Sequence, residues 1–240
     1  MKQENWYDVD TARGGDFSLS NAFPILMRKV FVWMTLALAI TGITAYGVAS
    51  SPALVGMIFS SKVMFWGLII AEFGLVMAIS GAINRLSLAT ATLLFILYSV
   101  VNGATLSVIF LAYSTTVIAN TFFITAGTFG AMALVGYTTK TDLTSIGKLL
   151  FMALIGIIIA SVVNIFVGSS GLDLIISYVG VLVFVGLTAY DTQKIKEMCR
   201  MAPDAGESMQ KLALLGSLSL YLDFVNLFLY LLRIFGNNKD

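Results

Sequence analysis

Seven stretches of this sequence are almost purely apolar: residues 30–50, 63–83, 88–112, 116–137, 149–168, 172–190 and 212–235. Each is close to the length of about 20 residues that a helix needs to cross the hydrocarbon of a bilayer. No aqueous core can hold them all. Of 240 residues, 58% are hydrophobic and 11% are charged, where a soluble domain carries about 25% charged residues to face water. The fold class this implies is an all-α polytopic membrane protein, a bundle of seven transmembrane helices. A β-barrel is disfavoured on two grounds. The alternating segments of about 10 residues that mark barrel strands are missing, and none of the three prolines falls inside a stretch.

The breaks between stretches are short and polar: Ser50-Ser51-Pro52, Asn84-Arg85, Tyr113-Ser114-Thr115, residues 138–148, Ser169-Ser170-Gly171 and the longer run 191–211. Residues 1–29 read as a polar N-terminal tail and 30–237 as the membrane domain. The tail is too long for the charged start of a signal peptide, and no small-residue cleavage site follows the first stretch, so that stretch is expected to be retained. Lys and Arg set the orientation, because cytoplasmic segments collect them. With the N-terminus in the cytoplasm, the inner segments hold Lys2, Arg13, Arg28, Lys29, Arg85, Lys140, Lys148, Lys194, Lys196, Arg200 and Lys211. The outer segments hold only Lys62, Arg233 and Lys239. Two of those three lie at the C-terminal end, so a re-entrant last segment stays open at this stage. Ser99-Val100-Val101-Asn102 recurs as Ser161-Val162-Val163-Asn164, too short to argue a repeat.

Several function classes drop out. The chain has no histidine, which removes Ser-His and Cys-His catalysis and histidine-ligated metals. A single cysteine, Cys199, excludes an intrachain disulfide. A net charge of +1 gives no reason to expect nucleic acid. The last stretch has no lysine for a retinal Schiff base. No phosphate loop or dinucleotide fingerprint is present. An intramembrane aspartyl protease needs two facing aspartates, which Asp191 and Asp223 could supply, but Asp223 follows Leu222 and lacks the flanking glycine pattern. The expectation is a protein that is not an enzyme and carries no cofactor.

What remains informative is ionisable groups at membrane depth, each costing about 2.5–3.5 kcal/mol to insert. Asp223 lies mid-way along the last stretch. Gly216, Ser219, Asn226 and Tyr230 stand at steps of three and four from it, so all five share one helix face. That stripe must face the bundle interior or a water-filled path. Glu72 lies near the centre of the second stretch on a face otherwise made of Leu68, Val76, Ile79 and Ile83. It reads as a relay position or as a neutral carboxyl bonded to a neighbouring helix. Asp191 ends the sixth stretch, where an interfacial charge is the plainer reading. Arg85 ends the second at the same depth. Asn102 and Asn164 are expected to cross-link helices. Ala126 with Gly130, Gly127 with Ala131, and Gly156 with Ala160 are expected to permit close helix approach.

Three strings carry a family resemblance. Val183-Phe184-Val185-Gly186-Leu187-Thr188-Ala189-Tyr190-Asp191-Thr192-Gln193-Lys194 resembles the sixth-helix signature of the Bax inhibitor motif family. Leu218-Ser219-Leu220-Tyr221-Leu222-Asp223-Phe224-Val225-Asn226-Leu227-Phe228 resembles its seventh helix. Gly136-Tyr137-Thr138-Thr139-Lys140-Thr141-Asp142-Leu143 resembles the inner loop of the bacterial branch. The resemblance implies seven helices with the seventh at the centre, in a bacterial plasma membrane. It implies a pH-sensitive calcium leak channel gated by an aspartate pair, matched here by Asp191 and Asp223, which are also the expected calcium ligands. It implies a latch on the sixth-helix aspartate, matched by Arg85, and a second-helix glutamate, matched by Glu72. Ser219 and Asn226 are further pore candidates. The expected partners are the lipid bilayer and calcium ions. Two alternatives stay open: a regulatory subunit of a membrane partner such as a protease, and a proton-coupled transporter.

Overall fold

The computed structural model describes residues 6–236, with side chains described from Ala22 onward. Lys2, Lys239 and the domain end at 237 lie outside the described residues, as does the side chain of Arg13. Among the described residues there are nine helices and no strand: α1 (Trp6–Ala49), α2 (Pro52–Ser60), α3 (Lys62–Ala82), α4 (Leu88–Leu106), α5 (Val108–Ala112), α6 (Thr115–Thr138), α7 (Thr144–Val167), α8 (Ser170–Arg200) and α9 (Glu207–Gly236). Seven segments are long and apolar enough to cross a membrane, with α4 and α5 together forming the third. The chain is an all-α, seven-span membrane protein.

The polar breaks work as helix starts. Ser51, Ser61, Ser87, Ser114 and Ser169 each turn an extended backbone into a helix, and the hydroxyl accepts the N–H three residues on, at 3.1–3.5 Å. This satisfies a donor that the first turn leaves free. α7 stops at Gly168, whose φ of +65° suits a residue without a Cβ. Asn164 finishes that end, its Oδ1 accepting from the Ser169 N–H at 3.1 Å. It therefore caps a helix rather than cross-linking two, against expectation.

Three boundaries differ from the apolar pattern. α1 is helical from Trp6 and its span opens at Ala22, so Pro24 lies inside a membrane helix. The third stretch is broken at Ser107, whose hydroxyl donates to the Ala104 carbonyl at 2.7 Å. Most consequential, α8 continues ten residues beyond Tyr190. Its charges Lys194, Lys196, Glu197 and Arg200 end the apolar run, but Thr188, Thr192, Ile195 and Cys199 keep a buried stripe at helical spacing. Asp191 is thus inside a helix, not at its end, and the connection to α9 shrinks to residues 201–206.

α9 is the axis of the bundle. Two-thirds of its spanning window is buried (67%), compared with 6% for α3 and for α7. It packs against α8, α1, α6 and α4, while α3 rests on α4 and α2, and α7 on α8. Tyr221, Leu220 and Leu227 of α9 are wholly buried.

Candidate functional site: the α8–α9 seam

α8 and α9 are antiparallel neighbours in a steady register. Gly216 of α9 sits against Ile195 of α8, and Gly180 of α8 against the ring of Tyr230. That ring also stacks on Phe184 at 5.9 Å between centroids. The small residues let the long partners in. The whole polar stripe of α9 therefore faces α8, and the charges near the helix ends suit the arrangement. Asp173 and Glu207 lie in the first turns of α8 and α9, and Arg200 and Arg233 in their last turns, as helix dipoles favour. Arg233 donates to Asp173 at 3.2 Å across the seam.

Midway along the seam the two aspartates meet. Asp223 is 5% exposed and its Oδ2 is buried without a hydrogen-bond partner. Asp191 is the charged side chain near enough to act on it. Asp191 itself is half-buried beside Ser219, one turn of α9 from Asp223, and its nearest cation is Lys194 of its own helix. Thr192 adds a second buried oxygen without a partner. Asn226 turns back on its own helix, its amide donating to the Leu222 carbonyl at 2.8 Å.

A cavity of about 490 Å³ leads to this point. Asp191, Ser219 and Gly216 lie on its wall, with Asp142, Gln193 and Lys194 beside them. Asp223 does not line it. The cavity thus reaches the first carboxyl and stops one turn short of the second.

Its rim is the loop between α6 and α7. Gln193 clamps that loop with both ends of its amide, accepting from the Leu143 N–H and donating to the Thr141 carbonyl, each at 2.8 Å. Lys196, itself buried, donates to the Tyr137 carbonyl at 3.0 Å. Asp142 sits on the rim. Hydrogen bonds from the Thr144 side chain and backbone hold its carboxyl below the usual range, and Lys148 adds a smaller attraction. The two family-like strings, 136–143 and 183–194, are therefore in direct contact.

Arg85 is not brought to the pair. It stands exposed in the turn after α3, and the ion pairs among the described residues are Lys196–Glu197, Arg200–Glu197 and Arg233–Asp173. The turn itself is tied to α9, with Lys211 donating to the Leu86 carbonyl (3.0 Å) and the Leu88 N–H donating to Glu207 (2.9 Å). Glu72 faces inward above the buried Ile79 and Ile83, beside Asn102 and Thr105 of α4. It is part of a different polar group from the aspartates. No cluster of three or more acidic or cysteine ligands exists among the described residues. A cation at the seam would have to be held by Asp191, Asp223, hydroxyls such as Ser219, and water.

The sequence reading missed Gln193, the Lys196 clamp and Tyr221. Their positions are uncharged or sit beyond the apolar runs, so no insertion cost marks them.

Comparison with known proteins agrees along the chain. The family model described as inhibitor of apoptosis-promoting Bax1 matches residues 24–240. The inner membrane protein YbhL of Escherichia coli (strain K12) is 51% identical over 214 residues, covering 89% of this chain and 92% of that one. A protein of Borreliella burgdorferi is 50% identical over 214 residues, with 89% and 92% covered. Protein RP147 of Rickettsia prowazekii is 45% identical over 216 residues, with 89% and 90% covered.

Proposed function

The chain belongs to the Bax inhibitor family, and on that premise we propose that it is a pH-sensitive calcium leak channel gated by Asp191 and Asp223. Its place is the bacterial inner membrane, with the N-terminus in the cytoplasm. The observation that carries this reading is the seam itself. A buried carboxyl with an unpartnered oxygen lies on the central helix, close to a second carboxyl on the wall of a cavity of about 490 Å³.

The mechanism follows from the electrostatics of paired carboxyls. Two of them close together in a low-dielectric site cannot both ionise cheaply, so they titrate as one unit. With one proton between them they attract, and α8 stays closed on α9. Losing that proton leaves two negative charges facing each other across the seam. Repulsion then parts the helices and joins the cavity to the depth of Asp223. Carboxylates and hydroxyls are the oxygen ligands that calcium prefers, and Asp191, Ser219 and Asp223 lie in that order along the path. Arg85 is assigned no contact in the closed arrangement. If it acts as a latch, it does so after a movement that brings its turn to α8. No catalytic step belongs to this reading.

The test is reconstitution in liposomes with a trapped calcium dye. The reading expects a leak that grows with the calcium gradient without saturating, needs no counter-gradient, and changes across about pH 5 to 8, where coupled carboxyls can titrate. Absence of calcium flux at every pH, from folded and inserted protein, contradicts it. Flux that saturates and requires a counter-gradient points to a transporter instead.

A further inference from the structure

A second buried polar group lies on the other side of the central helix. Two residues along an α-helix are about 200° apart, so Tyr221 points away from the seam that holds Asp223. Tyr221 is 0% exposed, its ring edge-on to Phe95 and Tyr98 at 5.9 and 5.6 Å. Its hydroxyl donates to Asn102 Oδ1 of α4 at 2.8 Å and lies 2.7 Å from Thr41 Oγ1 of α1. Thr41 Oγ1 is also 2.9 Å from the Ser99 carbonyl. At the far end, Asn102 stands beside Glu72 of α3, whose buried Oε1 has no hydrogen-bond partner. The titratable groups facing Glu72 are Tyr98 of α4 and Tyr221 of α9. From α4 it also meets Asn102 and Thr105, and no Lys, Arg or Asp acts on it among the described residues.

Counting protons gives this group a direction. Three oxygen contacts run from Ser99 through Thr41 and Tyr221 to Asn102, and the two hydroxyls supply one proton each. The Ser99 carbonyl takes the Thr41 proton. Thr41 then takes the Tyr221 proton. The third contact then closes only if the Asn102 amide turns over, presenting Nδ2 to Tyr221 in place of the Oδ1 that faces it in the structure; such a network tells the two ends of an amide apart. Asn102 then turns its Oδ1 toward Glu72, and that oxygen needs a donor, which a protonated carboxyl is. An ionised Glu72 demands the reverse. Asn102 must give it Nδ2, Tyr221 must donate to Asn102, and one of the two Thr41 contacts is left without a proton.

We propose that Glu72 is a proton-binding site whose state passes through Asn102 and Tyr221 to the central helix, separately from the aspartate pair. Protonated, it completes the chain that fastens α9 to α1 and α4. Ionised, it breaks one link of that chain. The proposal stands on the hydrogen-bond count and not on the leak reading.

Infrared difference spectroscopy on the full chain in liposomes tests it, with glutamate carboxyl groups isotopically labelled. The chain has four glutamates, and the Glu72→Gln variant identifies the one in question. At neutral pH the expected result is a protonated-carboxyl band that carries the glutamate label. It disappears in Glu72→Gln and on an alkaline step. Tyr221→Phe keeps the ring between Phe95 and Tyr98 but removes the hydroxyl, and should shift the band with Glu72 untouched. Thr41→Val, one link further away, should shift it less and serves if Tyr221→Phe does not fold. The proposal is overturned if no glutamate-labelled band exists, or if the band stays in place in a folded hydroxyl-deleting variant.

Discussion

At Asp223 the chain accepts a cost that a leucine would avoid, and two other acids frame what that cost achieves. Asp191 sits at the end of the cavity beside Ser219, and Asp142 at its rim. The rim acid differs in kind, since it is exposed and hydrogen-bonded by Thr144. Its folded value lies below its unfolded value. The stability it adds is therefore present above the ordinary carboxylate range, and is lost only as pH falls through the lowered folded value. Asp142 thus stays negative across about pH 5 to 8, the range in which the proposed gate is tested. Asp142→Asn should slow calcium flux by about two- to threefold, through weaker attraction of cations to the mouth, and leave the pH midpoint of the flux unchanged. A shifted midpoint in the liposome pH profile contradicts this. Asp223 and Glu72 were legible in the sequence because charge at membrane depth carries a penalty that demands a reason. Tyr221, Thr41 and Gln193 were not. A buried tyrosine or threonine reads as packing until the helices that meet it are known.

Between helices, the glycines decide how close the elements come. A Cβ at Gly136 of α6 would run into the Ala189 carbonyl of α8, and one at Gly103 of α4 would lie 2.6 Å from the Thr41 carbonyl of α1. Either substitution by alanine should cost about 1–3 kcal/mol, the usual range for overpacking, read as a lower unfolding temperature in detergent. Gly130→Ala is the control. Open space surrounds that position, so alanine should be neutral or gain up to about 1 kcal/mol of helix propensity. Equal losses at all three sites contradict the packing described here. Gly127, Gly130 and Gly156 are the glycines that the small-residue spacing singled out, and none has a neighbour within 4 Å of its Cβ position. Spacing marks a smooth face but not what that face meets, and here it meets the membrane. The end of α8 beyond Tyr190 was misread for a related reason. Four charges in 194–200 lower its hydropathy while its buried stripe continues.

For the molecule as a whole, hydropathy fixed the seven spans, because the membrane imposes their length. It could not say which helix stands at the centre. That arrangement came from family resemblance, and α9, an unbroken helix with the most buried span, agrees with it. The last helix, α9, is unbroken and long and apolar enough to cross rather than re-enter, which predicts that the two ends of the chain lie on opposite sides. Reporter fusions check this: an N-terminal reporter should be cytoplasmic and a C-terminal one external. Both on one side contradicts seven crossings. The central helix meets α8 at the aspartate pair and is hydrogen-bonded to α1 and α4 through Tyr221, so its two faces carry different polar groups. The aspartate pair is proposed to set the leak, and calcium flux from liposomes holding wild type or Asp223→Asn across about pH 5 to 8 is the measurement that reads it. The expected result is a pH-dependent leak in the wild type that flattens in Asp223→Asn, with both proteins folded and inserted. A wild-type pH profile that survives in Asp223→Asn would contradict the gate assigned to this pair.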